Sequence, residues 1–475
     1  MEKPERLIGY VEYESTNFPF EFHEDSFTIT LFPPTLEIWE EATSINNIFS
    51  RINSNNKEHK WIGSKELTGI TAKGRKIVFG IQDLRSNYNG FHSYPVNWYF
   101  YCSQELDLDA IDGFKLVGRE IEYFFPPNQV LNQSINFDKE TGVIKEISVN
   151  STEEITESCG KYRIIPHVDA SIEVSAYGIA NINNDLPPLT SKSIMTTTFS
   201  APVSLHTLLE AFHYSVCFLQ YITYRKNIDL DSIEVFKLDE KGLRNYLGIL
   251  VFEKSNSTEA HPKANERIID FSLLKHRTAK LYTLIKNRKL AFQHLCDSID
   301  DRRHYPSSRI IMILSSFERE FRNIYGQNSE RSEIYLNVQN DIVSLIDNYI
   351  VQKHGKARNY AKQFKKYVEN RDSSFESNLK KALLDCKDVM LPFIRRKYVN
   401  NYEEAVDGIS ERMGTVRNGI AHSRLDFKID AIHLSDLRIV QEILYVIRLR
   451  NMHLSTKEIQ KAINKLFGEN YAIIE

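Results

Sequence analysis

The stretch "GTVRNGIAHSRLDF", Gly414 to Phe427, places Arg417, Asn418 and His422 within six positions. Those residue types suit the cleavage of a phosphodiester that has a hydroxyl beside it. A histidine, with an ordinary pKa of about 6.5, can take a proton from one oxygen or give one to another at neutral pH. An arginine stays protonated and offers a planar fork to the non-bridging oxygens of a pentacovalent phosphorus. Asn418 stands four residues before His422, so the two share a helix face, and its amide can orient the ring or hydrogen-bond a phosphate. Glu318 and Glu320 lie on a separate helical run. They could reach the same place and position the histidine, although rim charges beside Arg319 and Arg322 are the plainer reading.

The spacing alone decides little. With 27 arginines and 14 histidines in 475 residues, chance gives roughly two to three Arg-His pairs four to six apart. Arg288–His294 falls in "RKLAFQH", which reads as a packing helix, and Arg448–His453 closes the apolar run "VQEILYVIRLR". Cations at a helix C-terminus are expected from the macrodipole. Arg417–His422 differs in having Asn418 beside the arginine and small residues, Gly419, Ala421 and Ser423, around the histidine. A second backbone or a nucleotide could approach there. The competing reading is a helix end whose Arg and His make local hydrogen bonds.

The elements that would carry these residues follow from periodicity. "FEFHEDSFTITLF" and "GRKIVFGIQDL" alternate apolar and polar positions, as half-buried strands do. "VNWYFYC" and "GREIEYFFPP" read as aromatic-rich strands, the second stopped by Pro126 and Pro127. Trp98, Tyr99, Phe100 and Tyr101 alternate as core residues would. A helix is expected over about 205–224, with Ser204 as its N-cap. "NSTEAHPKAN" marks a boundary near 255–265. Beyond it the chain reads as helical. Ile310, Leu314, Phe317, Phe321 and Ile324 form one apolar stripe, with Pro306 near the start and Gly326 after the end. Further helices are expected over 332–352, 356–370, 374–398, 402–422, 433–453 and 456–467. The fold class is therefore α+β: a β-rich, sandwich- or barrel-like region over 1–255, a helical connector over 256–300, and an all-α bundle over 301–475.

Composition narrows the functions. The five cysteines are scattered and no CxxC pair occurs, which argues against a disulfide framework or a structural zinc site. His23, His59, His92 and His167 show no metal-ligand spacing. Neither a GxGxxG loop nor a P-loop is present. The N-terminus lacks an apolar signal region. "LHTLLEAFHYSVCFLQYITY" carries His206, Glu210 and His213, so it reads as a buried helix and not a membrane span. A cytoplasmic protein with no metal and no cofactor is expected. Charge is uneven: residues 301–475 hold 29 basic and 23 acidic side chains, and residues 1–300 hold 31 and 40. Two basic runs in the back half are candidates for RNA contact: Lys353, Lys356, Arg358, Lys362, Lys365 and Lys366, then Arg395, Arg396 and Lys397. Solvated helix faces would look the same.

"RNGIAH", late in a helical region, resembles the Arg-polar-x3-His signature of HEPN ribonucleases. "IIMILSSFEREFRNIYG" and "SRLDF" resemble the ApeA-like branch of that family. "LTGITAKGRKIVFGIQDL" and "REIEYFFPP" resemble the large N-terminal domain found with it. The resemblance implies a metal-independent endoribonuclease of an anti-phage abortive-infection system, cutting host RNA, tRNA among the candidates, to leave 2′,3′-cyclic phosphate ends. It further implies a front domain that restrains the nuclease until a phage-derived trigger arrives, and a homodimer with two motifs facing one cleft. On an ideal helix Arg417 and His422 stand about 140° apart, which suits a site composed from two copies. The alternative is a non-catalytic partner-binding protein that uses a HEPN-like domain only to dimerise.

Overall fold

The structure is a computed structural model. It describes residues 6–13, 16–32, 65–81, 92–102, 108–138, 141, 143–181, 187–253, 258–326, 333–369, 374–398, 401–421, 428–471 and 473. The chain forms two compact units, one of residues 1–287 with 297–299 and one of residues 288–296 with 300–475. The stretch 256–300, expected as a connector, is thus shared between them, and most of it belongs to the first unit.

The first unit opens with a closed barrel of six strands: β1 (Arg6–Tyr13), β2 (Thr16–His23), β3 (Thr28–Leu31), β4 (Lys65–Thr71), β5 (Lys76–Ile81) and β6 (His92–Cys102). They pair in the order β6-β3-β2-β1-β4-β5, and β5 returns to β6. Closure leaves no sheet edge open in this part. The interior is aromatic, with the Phe22 ring 5.2 Å from Phe79 and 5.1 Å from Tyr99. Tyr94 and Val96 face inward before a register shift opposite Gly80 and Ile81, and Tyr99 and Tyr101 face inward after it. The extra residue in β6, Asn97, resets the alternation as a bulge does. Trp98 turns outward over Gly80, where a Cβ would come within 2.2 Å of the indole.

β6 also pairs with β14 (Arg244–Phe252). Through it the sheet continues to β13 (Leu230–Leu238), β7 (Ile111–Gly118), β12 (Leu189–Val203), β11 (Val168–Ala180) and β10 (Ile155–Ile165). α2 (Leu205–Thr223) and α4 (Thr278–Lys286) pack over β7 and β10. Ser204 caps α2, accepting a hydrogen bond from the Thr207 backbone N–H at 3.4 Å. β8 (Leu131–Phe137) and β9 (Ile144–Ser151) form a separate hairpin, and α3 (Phe271–Leu274) is a single turn. One expectation is corrected here. Arg119–Phe124, in the run taken for a strand, is a short helix, α1. Its Glu120 turns into the core and accepts from buried Arg225 at 2.7 Å, while Glu259 lies 3.4 Å from the same guanidinium.

The second unit is all-helical among the described residues: α5 (Ser307–Tyr325), α6 (Glu333–Gln352), α7 (Gly355–Glu369), α8 (Phe375–Asp385), α9 (Lys387–Lys397), α10 (Tyr402–Ala421), α11 (Ala431–Asn451) and α12 (Thr456–Phe467). The α5 stripe packs as its spacing predicts, with Ile310, Leu314, Phe317 and Phe321 buried. The helix expected over 374–398 is two helices, because Cys386 leaves helical backbone at φ −106, ψ 23. Residues 288–296 lie along α5: Asn323 donates to the Lys289 carbonyl at 3.1 Å and Arg319 to the Arg288 carbonyl at 2.8 Å. No helix among the described residues is long and apolar enough to cross a membrane.

Candidate active site

α10 carries the motif. Val406, Ile409, Met413 and Val416 recur at helical spacing and are buried, so the helix is pinned along one side. α10 is further locked by Arg412, whose guanidinium takes Asp436 of α11 in a two-pronged contact at 2.6 and 3.2 Å. The Tyr398 hydroxyl donates to the same carboxylate, and the Arg412 guanidinium lies 5.9 Å from the Tyr398 ring centre. Burial, reinforced by this carboxylate, holds the Tyr398 hydroxyl well above its ordinary pKa. The anchored part of α10 thus runs to within five residues of Arg417.

At the end of that helix the Arg417 side chain is 37% exposed and lies 3.5 Å from Glu318 of α5. It also donates to the Asn418 side-chain oxygen at 3.4 Å. Asn418 and Ala421 are exposed, and Gly419 is buried. The geometry therefore brings together Arg417, Asn418 and Glu318: a guanidinium held by a carboxylate from a second helix, with an exposed amide beside it. His422 and Ser423 lie outside the described residues, which end on this helix at Ala421. The angular relation between Arg417 and His422 lies outside them too.

Glu320 is elsewhere. Two residues on from Glu318, it faces the interior and is buried. It accepts from the Ala291 backbone N–H and from Arg448 Nε, both at 2.8 Å, and again from Arg448 Nη2. Burial pushes its carboxyl up and the Arg448 charge opposes that shift. It is neither a rim charge nor a companion of Arg417; it is half of a buried ion pair that ties α5 to α11. His294, partner of Arg288 in one of the recurring pairs, is buried beside Tyr445, with ring centres 5.8 Å apart.

The basic candidates divide. Lys365 pairs with Asp347 of α6 at 2.7 Å, and Lys397 with buried Glu442 of α11 at 3.3 Å. Arg396 lies 5.0 Å from the centre of the Tyr471 ring and donates to the Asn470 carbonyl at 3.4 Å. These three serve packing in the same unit. Lys353, Lys356, Arg358, Lys362, Lys366 and Arg395 are exposed. Arg358, Lys362 and Lys366 step by four along α7 and line one face of it.

Sequence reasoning missed the Arg412–Asp436–Tyr398 network and the Lys397–Glu442 pair. A signal for both was present: Asp436 and Glu442 interrupt the apolar run of α11, and an acid inside such a run requires a partner. The partner's identity is not visible in one dimension. All five cysteines are buried and none is in a disulfide; burial takes the Cys102, Cys159 and Cys217 thiols up to about 12, which makes them poor nucleophiles.

No protein family, no curated protein and no solved structure matches the chain.

Proposed function

We propose that this chain is a metal-independent endoribonuclease of the HEPN type, ApeA-like in domain pairing, acting in the cytoplasm in an anti-phage abortive response. The observation that carries the reading is Arg417 at the exposed end of a firmly anchored helix, steadied by Glu318, five residues before His422 in the sequence "RNGIAH". The chemistry needs only these residue types. The 2′-hydroxyl of the substrate attacks the adjacent phosphorus, the 2′-O–P bond forms, and the P–O5′ bond breaks. A histidine accepts the hydroxyl proton, and a second supplies one to the departing 5′-oxygen. Arg417 neutralises the charge that gathers on the non-bridging oxygens, where a fixed cation is most effective. Asn418 orients the ring or the phosphate. The products are a 2′,3′-cyclic phosphate and a 5′-hydroxyl.

Two histidines in one cleft imply two copies of the chain, with the front unit restraining the pair until a phage-derived trigger binds. Host RNA is the substrate, tRNA among the candidates, because loss of translation stops a phage quickly. A test of this reading is toxicity on induced expression. Wild-type protein arrests growth, while His422→Ala and Arg417→Ala, expressed to the same level, do not. Equal arrest by His422→Ala would remove the reading.

A further inference from the structure

α6 and α7 pack on each other as an antiparallel hairpin. The seam between them is ordinary: Gln339, Val343, Ile346, Asp347 and Ile350 of α6 are half-buried against Ala361, Lys365 and Val368 of α7. The flank beside that seam is not ordinary. On α6, Ile334, Val338, Ile342, Leu345 and Tyr349 recur at steps of three and four and fall within about 80° of helix arc. All five are exposed, Leu345 at 68%. On α7, Tyr360, Phe364 and Tyr367 make a second stripe at the same kind of spacing, with Phe364 63% and Tyr367 74% exposed.

The two stripes lie on the same side of the hairpin. On α6 the exposed stripe sits about 110° before the seam in the sense of the chain, and on α7 about 100° before it. The helices run in opposite directions, so these equal offsets turn both stripes to one face. The exposed cations Arg358, Lys362 and Lys366 sit about 90° to the other side of the α7 seam and line the opposite face. One face of the hairpin is thus mainly apolar, with Lys353 and Lys356 at its border, and three aligned cations line the other.

We propose that the apolar face pairs with the same face of a second copy of this chain, so that two hairpins close into a four-helix bundle. Three features favour a second copy over another occupant. The first is area. The eight stripe side chains leave on the order of 1,000 Å² of surface in water, beyond the few hundred typical of a monomer's largest patch and enough for one side of a standard interface. The second is composition. Aliphatic Ile, Val and Leu dominate the α6 stripe, as in the core-like interfaces of permanent dimers; Lys353, whose ammonium lies 5.7 Å from the centre of the Tyr349 ring, and Lys356 border this face, while the aligned run Arg358, Lys362 and Lys366 lies on the far side. The third is symmetry. An antiparallel pair of apolar stripes is self-complementary about a twofold axis, and bundles of four helices are the usual way such faces are covered. The ribonuclease reading also needs two copies of the chain; the proposal adds the surface through which they meet, and a dimer that does not use this face would remove the proposal alone. A dimer that cuts no RNA would remove that reading alone.

The test uses the full chain. Light scattering behind size exclusion gives the mass of wild-type protein, of Leu345→Glu with Phe364→Glu, and of a control with Arg358, Lys362 and Lys366 all changed to Glu. The expected result is a dimer for the wild type and the control, and half that mass for the double variant with unchanged circular dichroism. Ile342→Cys, at the middle of the face, is expected to give a covalent dimer with a short bis-maleimide, since the native cysteines are buried. A monomeric wild type, or a double variant that stays dimeric, overturns the proposal. So does a double variant that keeps its mass and loses RNA binding, because the face would then be an RNA surface.

Discussion

At the scale of single residues, the helical unit rests on charges that its interior cannot leave unpaired. Glu320 and Arg448 are both buried and meet directly. Removing one partner strands the other, at a cost of about 3–5 kcal/mol. Glu320→Ala is therefore expected to lower denaturant stability by that amount, and Glu320→Leu with Arg448→Met to recover much of it; a Glu320→Ala protein as stable as wild type would contradict the pairing. The Arg417–Glu318 contact is of another kind. It is half-exposed, and surface pairs contribute under about 1 kcal/mol. Glu318→Gln should leave the stability nearly unchanged while slowing RNA cleavage, an effect a purely structural carboxylate would not give. His294 supplies a pH signature. Burial takes its ring down to about 3, against about 6.5 in the unfolded chain. Between those values the unfolded state binds the extra proton, so stability from this site is complete above about pH 6.5 and falls by about 1.4 kcal/mol per pH unit toward 3. His294→Phe should flatten the acid limb of a Tm-against-pH curve; parallel curves would contradict the assignment.

At the scale of elements, the parts legible in the sequence were those whose pattern repeats. Strand alternation in β2 and the stripe of α5 could be read directly, because one face of each meets a core; β5 and the second half of β6 are buried on both faces, so there the short aromatic and β-branched run is the signal and alternation is not. Arg119–Phe124 could not. Six residues are too few for periodicity to separate helix from strand, and Tyr and Phe lean toward strand. What decides it is Glu120 meeting Arg225, a contact between residues 105 apart. The candidate site was legible as residue types and spacing, and its supports were not. Glu318 and Glu320 looked alike, and two residues of helix rotation send one to Arg417 and the other into the core. The basic face of α7 carries its own prediction. If Arg358, Lys362 and Lys366 neutralise RNA phosphates, reversing their charges lowers the slope of log affinity against log salt. The expected decrease is about 0.7 for each phosphate of single-stranded RNA that is no longer neutralised. Filter binding across a salt series measures it, and an unchanged slope would assign the stripe to solvent.

At the scale of the whole molecule, the proposed reading assigns chemistry and regulation to different units. The barrel-containing unit holds no nucleotide loop, and its aromatics and buried ions serve its own packing. The helical unit holds the motif, a basic face and an apolar face. The acidic balance of residues 1–300 against the basic balance of the rest suits a front part that meets a protein trigger and a back part that meets a polyanion. The central proposal is that "RNGIAH" cuts RNA through the substrate's own 2′-hydroxyl. The most direct measurement is the chemistry of the RNA ends left by purified protein. Wild-type protein is expected to leave 2′,3′-cyclic phosphate and 5′-hydroxyl ends in the presence of a chelator, and His422→Ala none. Intact RNA from the wild type, ends bearing a 5′-phosphate, or undiminished cleavage by His422→Ala would contradict it.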